Sequence, residues 1–176
     1  MEDSKLIRAC KKNSIRAQKL VYELHKDMLY NASYRILKNS EDAQDTVHDA
    51  FIKAFKGISK VDDDLNLGAW LRRIAVNTSL DFLKKHKRMV KWDVSIDIPD
   101  EDDETEGFEE VTLKVEEVKR AINGLSDSYR ITVVLYLIEN YTHREIAKEL
   151  GLKESTVRNQ YRRAKMQLKK ELKISE

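Results

Sequence analysis

Apolar residues return every three or four positions along most of this chain, and the breaks in that rhythm divide it. Leu6, Ile7 and Cys10 mark a short helix. Ala17, Leu20, Val21, Leu24, Met28, Ala32 and Ile36 mark a long one. Asn39 and Ser40 can each cap a third, whose apolar face is Ala43, Val47, Ala50, Phe51, Ala54, Phe55 and Ile58. After a loop over 59–66, a fourth helix carries Leu67, Trp70, Leu71, Ile74, Ala75 and Phe82. It runs into Lys84-Lys85-His86-Lys87-Arg88, whose cations suit a helix C-terminus. The rhythm stops over 93–110 and resumes with Val111, Val115, Val118, Ile122 and Leu125. Ser126 stands where it can cap the next helix, which turns Ile131, Val134, Leu135 and Ile138 inward. Thr142-His-Arg-Glu145 fits a capping box, in which hydroxyl and carboxylate satisfy each other's orphan amides. Ile146, Ala147 and Leu150 follow, and Gly151 is a stop signal. The last helix runs from about Ser155, with Val157, Tyr161, Ala164, Leu168 and Leu172 inward. The pattern predicts an all-α chain of two small domains. An N-terminal helical bundle (1–92) and a C-terminal four-helix domain with a helix-turn-helix (113–176) are joined by an acidic flexible linker (93–112).

Composition supports that division. Five Gly and one Pro in 176 residues disfavour a turn-rich β fold, and 36 % charged residues suit helices with solvated outer faces. The net charge of +2 hides a partition. Residues 1–92 hold 19 Lys/Arg against 12 Asp/Glu, residues 93–110 ten acids and no base, and residues 111–176 14 bases against nine acids. Two basic modules separated by an acidic tether suit polyanion binding, although two solvated domains with an ordinary linker would read the same way.

Several classes are disfavoured. The lone Cys10 excludes an intramolecular disulfide, and four scattered His do not join it in a zinc-like cluster, so no metal or other cofactor is expected. No apolar run approaches the roughly 20 residues of a membrane span, and the N-terminus lacks a signal-peptide core. No membrane insertion and a cytoplasmic location are expected. Phosphate loops, H-E-x-x-H, G-x-S-x-G and Cys–His pairings are missing, so no catalytic residue is named and no enzyme is expected.

Three stretches carry candidate chemistry. In Tyr141–Lys165 a helix, a Gly turn and a second helix follow in order. The second helix must bury one stripe and offer the other to a DNA groove. Ser155, Thr156, Arg158, Asn159, Arg162, Arg163 and Lys165 are the candidate contacts, with types that suit guanine and adenine edges and phosphates. In Trp70–Arg88, the residues Trp70, Arg72, Arg73, Asn77, Lys84, Lys85 and Arg88 combine cations with groups able to hold unstacked bases. On the helix opened by Ser40–Phe55 the outer face carries Asp45, Asp49, Lys53 and Lys56. By itself the second stretch fits a solvated helix face nearly as well, the third fits a solvated face better, and Trp70 alone fits a core position better.

Taken in order, Glu41–Phe51, Trp70–Asn77, Leu125–Arg130 and Tyr141–Lys165 resemble the extracytoplasmic-function sigma factors, over about 5–92 and 113–172. The resemblance implies a specificity subunit of RNA polymerase that directs promoter-specific initiation. Asp45, His48, Asp49 and Lys53 would dock on the β′ clamp helices, with the β flap as a second polymerase contact. The Trp70 helix would hold the melted −10 element, and the loop Val61–Asn66 would receive a base taken out of the stack. The helix-turn-helix would read the −35 element. Family members are often silenced by an anti-sigma partner, frequently membrane-anchored. Departures are His48 in place of Gln, Ser126 in place of Pro, Lys153 near the recognition-helix cap, and three acids, Asp62, Asp63 and Asp64, in the −10 loop. Those acids either turn away from DNA or accept from a base amino group. The alternative reading is a helix-turn-helix regulator that binds duplex DNA on its own.

Overall fold

The computed structural model describes residues 3–86, 92 and 115–173, and every regular element among them is helical. The chain divides into two units, Met1–Met89 and Val90–Glu176. The expected linker, and Lys87 and Arg88 before it, lie outside the described residues.

The first unit is built from α1 (Asp3–Lys11), α2 (Ile15–Leu37), α3 (Ser40–Gly57) with a single 3-10 turn after it (Ile58–Lys60), and α4 (Leu67–Lys85). Each boundary has a local cause. Ser14 and Asn39 accept from the amides of Ala17 and Asp42 and so start α2 and α3. Lys38, at φ 53°, ends α2 in the left-handed conformation with its amide on the Tyr34 carbonyl. Asn66 opens α4 by accepting from the Ala69 amide. α2, α3 and α4 pack against one another, and α1 closes one side on α2. Their shared core includes Leu6, Ile7, Cys10, Val21, Leu29, Val47, Phe51, Leu67 and Leu71. Cys10 is the small core residue its spacing suggests, and burial raises its thiol pKa.

Two expected core positions differ. Leu20 and Leu24 are 36 % and 59 % exposed. The buried stripe of α2 runs through Ala17, Val21, Leu29, Ala32, Ser33, Ile36 and Leu37, and places both leucines at its border. Apolar spacing of three and four fits several neighbouring stripes on a 23-residue helix, and only packing against α3 and α4 selects one.

The second unit comprises α5 (Val115–Gly124), α6 (Asp127–Val133) running into a π-helical turn (Val134–Ile138), α7 (His143–Leu150) and α8 (Glu154–Glu171). α6 and α7 both pack on α8. The Thr142–Glu145 capping box forms, and Gly151 closes α7 at φ 67°. Ser126 stands at the start of α6, but its hydroxyl lies 3.4 Å from that of Ser128 and makes no cap hydrogen bond. Val115, expected inward, is 66 % exposed. α8 begins at Glu154, one residue before the expected start, with Lys153 as a cap that offers no side-chain acceptor.

Candidate nucleic-acid interface

The two faces of α8 separate as a helix-turn-helix requires. Thr156, Val157, Gln160, Ala164 and Leu168 are buried. Arg158 is exposed, and Ser155, Asn159, Arg162, Arg163 and Lys165 are half-buried at the border of the same outer face. Thr156 is therefore a correction: its side chain is 8 % exposed and faces the core, because position 156 shares a stripe with Gln160 and Ala164. Tyr161 packs in a ring cluster with Tyr136 and His143, at centroid distances of 4.5 and 5.3 Å, which fixes α8 against the turn before α7. Arg158 meets Glu154 at 2.9 Å, one turn earlier. That hydrogen bond holds Glu154 below the usual carboxylate range, so Glu154 is an internal competitor for any anion offered to Arg158.

On α4 the cations form a graded surface. Arg73, Lys84 and Lys85 are exposed, Arg72 and Asn77 half-buried. Trp70 is half-buried and packs against the core beside Gly57. Phe82, expected inward, is half-buried and stacks on the exposed His86 at 4.0 Å. An acid, Asp81, sits among these cations and is exposed.

Lys53 answers that acid. From α3 it reaches across to α4, donating to Thr78 Oγ1 at 3.3 Å and pairing with Asp81 at 3.7 Å. Asp45, His48 and Asp49 all lie exposed on the outer face of α3. The rings of His48 and Tyr22 stack, with Nε2 3.4 Å from the Tyr22 hydroxyl. Ile52, which sequence reasoning did not single out, is 52 % exposed on this face. Its spacing from His48 and Asp49 was the available signal, because the buried stripe of Ala43, Val47, Ala50 and Ala54 leaves position 52 outside.

In the loop before α4, Asp63 is held by Lys11 at 2.7 Å and Arg8 at 3.0 Å, both from α1. The Lys11 hydrogen bond keeps its carboxyl below the ordinary range. Asp62 and Asp64 are exposed.

Comparison with known proteins assigns this architecture. Residues 21–89 match the family described as Sigma-70 region 2, and residues 115–168 match Sigma-70, region 4. RNA polymerase sigma factor SigV of Bacillus subtilis is 30 % identical over 84 % of this chain and 88 % of its own. The chain belongs to the extracytoplasmic-function sigma factors of the sigma-70 family. This sigma factor is also similar to the ECF RNA polymerase sigma factor SigW of the same species, at 28 % identity over 96 % of this chain and 95 % of the other. A solved sigma factor, RpoE of Bartonella quintana in complex with the anti-sigma factor NepR, shares its fold: TM-score 0.53, 23 % identity, 90 % of this chain and 98 % of that one. The chain is an alternative sigma factor, directing transcription initiation. Among the described residues no helix is long and apolar enough to cross a membrane.

Proposed function

We propose that the sigma factor grips one promoter at two places and docks on polymerase at a third. The N-terminal module, 1–92, docks through Asp45, His48 and Asp49 of α3, with Ile52 as the apolar centre of that contact. It holds the melted −10 element along α4 through Trp70, Arg72, Arg73, Asn77, Lys84, Lys85 and Arg88. The acidic tether spans 93–112. The C-terminal module, 113–176, reads the duplex −35 element with Ser155, Arg158, Asn159, Arg162, Arg163 and Lys165. Lys53 completes the docking set, with its ammonium also reaching Thr78 and Asp81 of α4. The chain supplies specificity and the polymerase performs nucleotidyl transfer, so the sigma factor works in the cytoplasm without catalytic chemistry of its own. An anti-sigma partner belongs to this reading, by analogy with the solved relative.

The observation that carries the proposal is the division of α8 into a buried stripe and an outer face rich in Arg and Asn, directly after a capped helix and a left-handed Gly151. It is tested by transcription in vitro with core polymerase on a library randomised in both promoter elements. Arg158→Ala is expected to change base preference only upstream, and Asn77→Ala only in the −10 element. Preference changes in the same element for both variants, or in neither, would contradict the division.

A further inference from the structure

The six residues between the 3-10 turn and α4 form a loop attached at more than its ends. From beneath, Val61 and Leu65 pack against the core. From the side, α1 reaches it with three charged residues. Lys11 Nζ donates to Asp63 Oδ1 at 2.7 Å, and Arg8 Nε lies 3.0 Å from Asp63 Oδ2. One turn further back on α1, Asp3 Oδ2 accepts from the Leu67 amide at 3.0 Å, an orphan donor at the start of α4. Gly68 stands at that corner, where a Cβ would meet His25 Cε1 at an ordinary contact distance of 3.4 Å.

Charge gives these contacts a purpose beyond stability. Asp62, Asp63 and Asp64 put three like charges in succession where a nucleic-acid strand is expected to pass. Unpaired, they would repel one another and the phosphates. The two α1 cations engage the middle acid, so Asp62 and Asp64 stay exposed while Asp63 is tied to α1. Exposed ion pairs of this kind contribute little to folding. Arg8, Asp63 and Lys11 side chains are 61, 37 and 27 % exposed, so the clasp is expected to matter little for folding.

We propose that α1 is the positioning element of the 61–66 loop: the Arg8–Asp63–Lys11 clasp and the Asp3–Leu67 hydrogen bond set the loop's shape, and hence which base it accepts, though no α1 side chain touches DNA. α1 lies before the residues matched to Sigma-70 region 2, which begin at 21. The inference rests on the reading that this loop holds a base removed from the stack.

The test uses the full chain with core polymerase on templates randomised in the −10 element, with transcripts sequenced. Arg8→Gln combined with Lys11→Gln is expected to flatten base preference at one −10 position by roughly five- to tenfold, at the low end of the range a single base discrimination spans. Preference in the −35 element, co-elution with core polymerase and the thermal midpoint stay as in the parent. The charge swap Arg8→Glu, Lys11→Glu, Asp63→Lys restores the preference, which a merely structural effect would not do. A third arm replaces the acids themselves, with Asp62→Gly, Asp63→Ser and Asp64→Gly. If that arm moves the preference and the Gln pair does not, the brace is refuted while the loop reading stands. If the third arm leaves preference unchanged, the loop reads no base and both ideas fall.

Discussion

The two helices proposed to meet DNA differ in how the charged groups of their outer faces are paired. α4 is fixed by groups far away in sequence. Lys53 reaches Thr78 and Asp81 from 25 or more positions away, and Asp3 holds the Leu67 amide from 64 positions away. On α8 the pairing at Arg158 is local, with Glu154 one turn before it, while the Tyr136 and His143 rings on Tyr161 hold the helix itself. A surface tuned by local pairs changes one residue at a time. A surface tuned by tertiary pairs couples DNA holding to the packing of the whole bundle.

The largest expected effect breaks the tertiary side of that contrast. Leu71 is 1 % exposed in the core under α4, and Leu71→Ala is expected to cost about 2–5 kcal/mol by denaturant unfolding. A cost below about 1 kcal/mol would mean that α4 is not pinned as described.

On the local side, Arg158→Ala is expected to lose about 1–3 kcal/mol of promoter binding by the holoenzyme. Glu154→Gln should act in the other direction, tightening binding by releasing Arg158, and a filter-binding comparison reads both. Weaker binding by Glu154→Gln would show that the pair positions Arg158 instead of competing for it. Next in size, Thr142→Ala removes the cap of α7 and should cost about 1 kcal/mol of stability. An unchanged unfolding midpoint would show that packing alone holds α7 on α8.

Smaller still is the Lys53–Asp81 link, an exposed pair worth at most about 1 kcal/mol. Lys53→Met should weaken capture of the −10 strand, and adding Asp81→Asn should recover it. A loss of polymerase binding that Asp81→Asn fails to correct would show Lys53 acting on the docking face and not through α4. The smallest effect is His25. Burial lowers its pKa, with Asp3 acting partly against the shift. The folded chain therefore binds this proton less readily than the unfolded one, and stability is lost as pH falls through the unfolded value of about 6.5. His25→Gln should flatten that slope in thermal melts between neutral and mildly acidic pH.

The same contrast explains what the sequence could disclose. The capping box, the Gly151 stop and the buried stripe of α8 were legible because each depends on residues within a turn or two of one another. Thr156 was misread because the stripe's edge is set by the packing of α6 and α7 on α8. Leu20, Leu24 and Val115 were misread for a related reason: periodicity states that a helix has an apolar side, and packing decides its width. The roles of Lys53 and Asp63 were out of reach, since each is defined by a partner more than 20 residues away. Composition pointed to basic surfaces without saying which acid each cation would answer.

The most direct test of the two-point grip is a hydroxyl-radical footprint of the reconstituted holoenzyme on one promoter, with parent chain, Arg158→Ala and Asn77→Ala side by side. Two separated patches of protection are predicted, the upstream one fading with Arg158→Ala and the downstream one with Asn77→Ala. A single continuous patch that both variants weaken alike would contradict the assignment of one module to each element.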